Sequence, residues 1–349
     1  MIRTTEMNDI VEERYQFCLW LYRIKKETDK RNKLKREQGE ENIVYVDIFA
    51  KPCHIKKLFG DFMKTPQYTE TAILEGHTDS VIYLTHYENK LVSGSYDKTI
   101  CIWNTETYEE IATLRRHIGI AYCLTIHENK LVYGSFDKNI HIWARGTNTE
   151  TYETIATLRG HTSWVNCFIH YENKLFSGCG DKTIRVWNTE TYEEIATLRG
   201  HNESVCCLAH RENKLVSGSG DKTIRVWNTE TYEEIATLEG HTDAVKCLIL
   251  HENRLYSGSH DETIRIWNTE TYETIATMEG HTHCVLCFAL HENKLYSGSL
   301  DKTIRIWNTE TYEEIATLRG NIHWVNCLTL HENKLVSGSN DGTIRVWKI

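Results

Sequence analysis

A histidine, a serine, an aspartate and a tryptophan recur together five times in this chain, in the same order and with the same gaps. The sets are His77, Ser93, Asp97 and Trp103; His161, Ser177, Asp181 and Trp187; His201, Ser217, Asp221 and Trp227; His241, Ser257, Asp261 and Trp267; and His281, Ser297, Asp301 and Trp307. Serine, histidine and aspartate together could make a nucleophilic hydrolase, in which the base activates the hydroxyl and the acid orients the base. That chemistry needs one reachable hydroxyl in one cleft, beside an oxyanion hole. Five copies, each with its serine inside a strand-like run, predict instead polar groups that satisfy one another in an interior. No catalytic residue is expected, and the chain reads as a non-enzyme.

Other motifs also lose their chemistry on inspection. Gly218-Ser-Gly-Asp-Lys-Thr223 resembles a phosphate loop, but Asp221 replaces the glycine before Lys-Thr and no helix pattern follows. It reads as a turn between two strands. Cys284 and Cys287 form a Cys-x-x-Cys pair with no second pair at finger spacing, so zinc is not expected. Of the 18 histidines, six open the repeats. His86, His127, His170, His210, His251, His291 and His331 are assigned to the turn after the first strand of each unit. His54, His141, His260, His283 and His323 have no metal-ligand spacing and mostly read as surface-loop residues. Neither a metal nor a cofactor is expected. Among the 12 cysteines, Cys123, Cys167, Cys207, Cys247, Cys287 and Cys327 occupy one repeat position, which suits a small core residue. A reducing compartment, cytosol or nucleus, is expected.

The elements that position these residues come from an internal repeat. Tryptophan recurs at 103, 143, 187, 227, 267, 307 and 347, with spacings of 40, 44, 40, 40, 40 and 40. Four extra residues, Ala144 to Thr147, account for the longer step. In the unit Glu239 to Met278, strands are predicted at Val245–Leu250, Leu255–Gly258, Thr263–Trp267 and Thr274–Met278. His-Glu-Asn, Ser-His-Asp-Glu and Asn-Thr-Glu-Thr separate them as turns. Four short strands per unit make one small antiparallel sheet, a propeller blade. A lone sheet cannot bury both faces, whereas seven stacked around an axis can.

Gly240-His241, Ser257, Asp261 and Trp267 carry a specific likeness: the chain resembles the WD-repeat β-propeller family over about residues 68–349. The compact unit is similar to those of F-box/WD, TRAF-type WD and amoebal myosin-heavy-chain-kinase propellers. The usual Trp-Asp pair is Trp-Asn in five units, Trp-Ala at 143–144 and Trp-Lys at 347–348. The resemblance implies an all-β, seven-bladed propeller, residues 67–349, and residues 1–66 read from their own spacing and charge as a short α-helical and charged N-terminal extension. It implies a hydrogen-bond chain in each full set, from Trp to Ser to His to Asp. The second unit departs with Tyr133 for Ser and Arg116 for Gly, and the seventh with Asn321 for His. Those two blades are expected to be the soft ones. The resemblance also implies closure by residues 68–74 pairing with Thr343–Trp347, which would remove the open sheet edges.

Nearly identical positions encode the scaffold, so recognition should reside where the units differ. Two loops carry that variation, and strand alternation places both on one face of the ring. Before the first strand stand Ser80, Ile120, Trp164, Ser204, Ala244, Cys284 and Trp324; one residue into it stand Ile82, Tyr122, Asn166, Cys206, Lys246, Leu286 and Asn326. Before the loop aspartate stand Tyr96, Phe136, Gly180, Gly220, His260, Leu300 and Asn340. The partner-binding residues expected from these are Tyr96, Tyr122, Phe136, Trp164, Asn166, Lys246, His260, Leu300, Trp324 and Asn326. Aromatic anchors dominate interface energetics. With only Lys246 and in part His260 to supply positive charge, a phosphate-reading surface is not expected. An apolar or amphipathic peptide fits, with an acidic residue near Lys246.

Net charge is −9, and residues 1–70, with 14 Lys+Arg and 12 Asp+Glu, leave 26 against 37 for the remainder, a net −11. An acidic bulk does not attract phosphate backbones, so nucleic-acid binding is not expected. The opposite face, with its Asn-Thr-Glu-Thr-Tyr-Glu and His-Glu-Asn-Lys turns, reads as solvated surface. The longest apolar or aromatic run before residue 70 is Phe17 to Tyr22, too short for a membrane span, and the early acidic residues argue against a secretory signal. Residues 8–38 are predicted as one helix, 42–50 as a strand and 53–63 as a short helix. The function expected is a protein-interaction scaffold that binds proteins or peptide segments on the top face, without membrane, nucleic acid or small-molecule substrate. The alternative is the substrate-recognition subunit of a cullin-type ubiquitin ligase, with residues 1–66 contacting the adaptor.

Overall fold

The computed structural model describes residues 68–115, 119–127, 130–145 and 152–349. The elements expected in residues 1–66, Arg116 at the start of blade two and part of the Ala144–Thr147 insertion lie outside them. Tyr68–Ile349 form one compact unit. Within the described residues there are 28 strands and no helix, arranged as seven four-stranded antiparallel sheets.

Each blade follows the alternation of its sequence. In blade four the inner strand is Val205–Arg211, followed by Lys214–Ser219, Ile224–Asn228 and the outer strand Glu234–Leu238. The second strand, Lys-Leu-Val-Ser-Gly-Ser, is buried on both faces, which its run of small and apolar residues permits. The outer strand is mostly exposed on one side, as expected at an edge. The turn into it is shaped by Asn228, whose Oδ1 accepts hydrogen bonds from the N–H groups of Glu230 and Thr231 at 2.8 and 2.9 Å. This side-chain turn explains why asparagine can replace aspartate in the Trp-Asp pair. Tyr232 follows with φ 63°, a left-handed conformation that an L-residue adopts only when its surroundings hold it there.

The blades are joined on both sides. The first-strand valine, such as Val205 or Val245, is fully buried against the preceding blade. Burying a side chain of this size contributes roughly 1.5–3 kcal/mol. A side chain at Gly218 would meet Cys207 Sγ at 2.6 Å and Val245 Cγ1 of the next blade at 2.7 Å, so only glycine allows this approach. Cys207 Sγ points at the Val245 carbonyl at 3.8 Å, and Cys247, Cys287 and Cys327 repeat the contact with Val285, Val325 and Val81. Burial pushes these thiols well above their ordinary pKa.

A second joint lies on the face first assigned only to solvent. Lys174 and Lys214 reach the next blade, where Nζ sits 5.3 Å above the ring of Tyr232 or Tyr272 and donates to the carbonyl of Thr229 or Thr269. Arg254 does the same with Tyr312 and Thr309. Cation and ring thereby hold the strained tyrosine turn of one blade against its neighbour. The histidines assigned to the first turn are also moved: His86, His170 and His210 belong to the inner strand, and the turn is the Glu-Asn pair that follows.

The ring closes through Thr69–Leu74. This strand pairs antiparallel with the last strand, Ile344–Lys348, in register Glu70 to Trp347, Ala72 to Val346 and Leu74 to Ile344. It supplies the fourth strand of blade seven.

Candidate functional site

The repeated polar sets converge inside the blades. In blade four Trp227 Nε1 donates to Ser217 Oγ at 2.8 Å, His201 Nε2 lies 2.7 Å from that oxygen, and His201 Nδ1 lies 2.9 Å from Asp221 Oδ2. With Nδ1–H donating to the carboxylate, Nε2 is left to accept the serine proton, so all the groups are satisfied by a neutral imidazole. The same contacts join the other four complete sets, beginning at His77, His161, His241 and His281. The serines are fully buried and paired to an indole, which leaves no free hydroxyl to attack a substrate. Burial alone would raise the Asp221 pKa. Hydrogen bonds from His201, Thr223 and the Asn202 N–H outweigh it and hold the carboxyl far below the usual range. Asp181, Asp261 and Asp301 are depressed by equivalent bonds.

The two departures are resolved differently. In blade two, Tyr133 stacks on His141 at 5.0 Å and meets Trp143 edge-on at 5.1 Å. His141 Nε2 then lies 2.8 Å from Asp137 Oδ2. His141 is therefore a strand residue with a network role, contrary to its expected place in a surface loop. In blade seven, Trp347 still donates to Ser337 at 2.9 Å. Asn321, 7% exposed, is too short to bridge Ser337 and Asp341, and neither its Nδ2 nor its Oδ1 bonds to a described residue.

In blade three Cys179 stands where other blades have serine. Its Sγ, a ring nitrogen of His161 and a carboxylate oxygen of Asp181 lie within 4.8 Å of one another, as cation ligands could. Cys179 donates to the Ser163 carbonyl and accepts from the Asp181 N–H, both at 3.3 Å, as Ser219 does with Glu203 and Asp221 in blade four. The trio is the ordinary network with sulfur in place of oxygen.

The two variable loops meet on one face in every blade. A backbone bond ties them: Tyr96 to Ser80, Phe136 to Ile120, Gly180 to Trp164, Gly220 to Ser204, His260 to Ala244, Leu300 to Cys284 and Asn340 to Trp324. On this face Tyr96, Tyr122, Phe136 and Trp164 form one continuous aromatic row. Tyr96 and Tyr122 meet edge-on at 6.0 Å, Tyr122 and Phe136 stack at 6.2 Å, and Phe136 and Trp164 stack at 6.0 Å. The row crosses blades one to three and stays open to solvent: Tyr96 is 37% exposed, Phe136 53% and Trp164 44%. Trp324 is in a separate patch, 40% exposed, edge-on to His323 at 4.9 Å.

Other expected contact residues have different surroundings. The amide of Asn166 donates to Ser204 Oγ and the Val205 carbonyl, both at 2.8 Å. Asn326 repeats this with Ser80 and Val81 at 2.9 and 3.0 Å. Both amides clamp adjacent blades, so they do not present free donors to a partner. Lys246 lies beside Cys206, with Nζ 3.8 Å from Sγ. Burial and the nearby Lys246 charge lower the pKa of His260, which leaves it neutral at pH 7. Leu300 is half-buried. Ile322, which the sequence reading overlooked, is 71% exposed beside Trp324. Its signal was available: five of the equivalent residues are polar, Thr78, Thr162, Asn202, Thr242 and Thr282, and only the second unit also has isoleucine, at 118.

Comparison with known proteins follows this geometry. Residues 68–104, 152–188, 192–228, 232–268, 272–308 and 312–348 match the WD40 family model, described as WD domain, G-beta repeat. The repeat left unmatched is the one carrying Tyr133. Among solved structures, the WD40 β-propeller domain of Doa1 is similar, with a TM-score of 0.71 and 26% identity over 80% of this chain and 96% of that one. The computationally designed protein Ika8 is also similar, with a TM-score of 0.65 and 28% identity over 80% and 99%. No curated protein matches the chain.

Proposed function

This chain belongs to the WD40 family, a propeller fold that generally serves as a protein-interaction scaffold, and on that premise we propose that it is a non-enzymatic scaffold that holds peptide segments of other proteins on its variable face. The aromatic row from Tyr96 to Trp164 carries this reading. Four rings in contact across three blades, three of them open to water, are costly as surface but effective as anchors once covered. An apolar or amphipathic segment fits the row, and Lys246 can receive one carboxylate. The lack of any arginine at the variable positions and a neutral His260 argue against phosphorylated segments. Trp324 and Ile322 offer a second apolar contact on the same face.

Ten described cysteines form no disulfide, which supports residence in a reducing compartment, cytosol or nucleus. The test is selection of a displayed peptide library on the full chain. Peptides with apolar anchors should be enriched, and their binding should be lost in Trp164→Ala. Enrichment that is indifferent to Trp164, Phe136 and Trp324 would contradict the proposed surface.

A further inference from the structure

The slot between blades four and five is partly open to solvent and has a volume of about 140 Å³, with Val216, Val226, Leu238, Leu250 and Leu255 as its apolar lining and Arg211, Lys214, Asn253 and Thr269 among its polar lining. The equivalent slots between blades two and three and between blades seven and one measure about 10 Å³ each. Both of those also carry valine, Val132 or Val336, but an imidazole, His170 or His331, lines them. At the Val216 position blades three, five and six have Phe176, Tyr256 and Tyr296, all fully buried. The sequence therefore fills this space with a ring three times, and an imidazole lines the slots after Val132 and Val336, two of the four that carry valine. Val92 is the third valine, and the slot after Val216, the fourth, has neither an inserted ring at this position nor an imidazole in its lining.

Tyr256 shows what the space is shaped to hold. Its ring packs with Ile264, Ile266, Met278 and Leu295, and its hydroxyl donates to the Thr309 carbonyl at 3.4 Å. That carbonyl also accepts from Arg254 at 2.7 Å, so it serves two donors. In the slot after Val216 the counterparts are all present: Ile224, Val226, Leu238, Leu255 and the Thr269 carbonyl, which accepts from Lys214 at 3.3 Å and has a second lone pair. A closed aliphatic cavity on the order of 150 Å³ takes up benzene; this slot has a similar volume but a lining that is part polar, which suits a ring bearing a hydroxyl.

We propose that the slot between blades four and five is a binding site for a small free phenol, whose ring replaces the one missing at Val216 and whose hydroxyl donates to the Thr269 carbonyl.

Calorimetric titration of the full chain with phenol and with toluene tests this, using Val216→Tyr as the blocked form. Wild type should bind phenol saturably and toluene several-fold more weakly, for want of the hydroxyl. Val216→Tyr should bind neither and melt at a higher temperature, because its own ring fills the space. If Val216→Tyr does not fold, Leu250→His, which copies the imidazole at position 170, blocks the slot instead. No saturable phenol binding by wild type, or equal binding by the blocked variant, would overturn the site. Equal affinity for toluene would overturn the role of Thr269.

Discussion

Arg345 donates from Nη1 to a carboxylate oxygen of Glu70 at 2.6 Å and so joins residues 275 positions apart in the chain. The guanidinium is nearly buried, and it also lies 3.9 Å from Asp341. In blades three, four and six the same arginine pairs with a glutamate nine residues on, in its own outer strand. In blade seven the partner comes from the other end of the ring. A contact that is local elsewhere has become part of the closure.

Closure makes the strand Thr69–Leu74 worth far more than its length. Deleting residues 68–75 would expose the edge of Ile344–Lys348 and remove Leu74 from the core of the joint between blades seven and one. Its thermal midpoint should fall much further than that of a deletion of residues 1–60. Equal midpoints in calorimetry would refute this.

The buried networks predict a loss and a gain. Ser217→Ala removes the oxygen shared by Trp227 and His201 and leaves two buried groups unsatisfied, at a cost of about 2–5 kcal/mol. Asn321→His restores an imidazole between Ser337 and Asp341, which are already in place, and should add about 1 kcal/mol. Urea midpoints measure both. A lower midpoint for Asn321→His would show that blade seven is adapted to asparagine.

Acid should unfold the ring cooperatively. The folded-state pKa values of Asp181, Asp221, Asp261 and Asp301 are depressed, so each stabilises the fold above its unfolded pKa, about 4. That contribution is lost as pH falls from about 4 toward the folded values. A stability profile flat from pH 5 down to 2 would contradict it. Asp221→Asn should flatten the acid limb relative to wild type.

Much of this was legible in the sequence, because repetition averages away local ambiguity. The seven blades, the strand order and the closing strand follow from tryptophan spacing and the position of Tyr68–Leu74. What stayed hidden depends on contacts between units. The cation-on-ring joint of Lys214 and Tyr272 pairs residues 58 positions apart, and nothing in one repeat marks it. Asn166 and Asn326 stand out as variable, but only the neighbouring blade reveals them as clamps. The aromatic row could be listed residue by residue, yet its continuity depends on how blades one to three are placed side by side. His141 was misread because its role arises from another substitution, Tyr133, in the same blade.

The variable face should tolerate loss of its rings. Trp164→Ala and Trp324→Ala remove side chains already open to solvent, so the melting temperature should stay within the small range typical of surface changes. Capture of a selected peptide should nonetheless be lost with Trp164→Ala. Unfolding of either variant would identify these rings as core.

Hydrogen exchange resolved along the chain tests the closed ring most directly. The amides of Thr69–Leu74 that bond to Ile344–Lys348 should exchange as slowly as those of the inner strands and be released only with global unfolding. Rapid exchange in Thr69–Leu74 while Val325–His331 stays protected would mean that the wheel is open, and the account would fail.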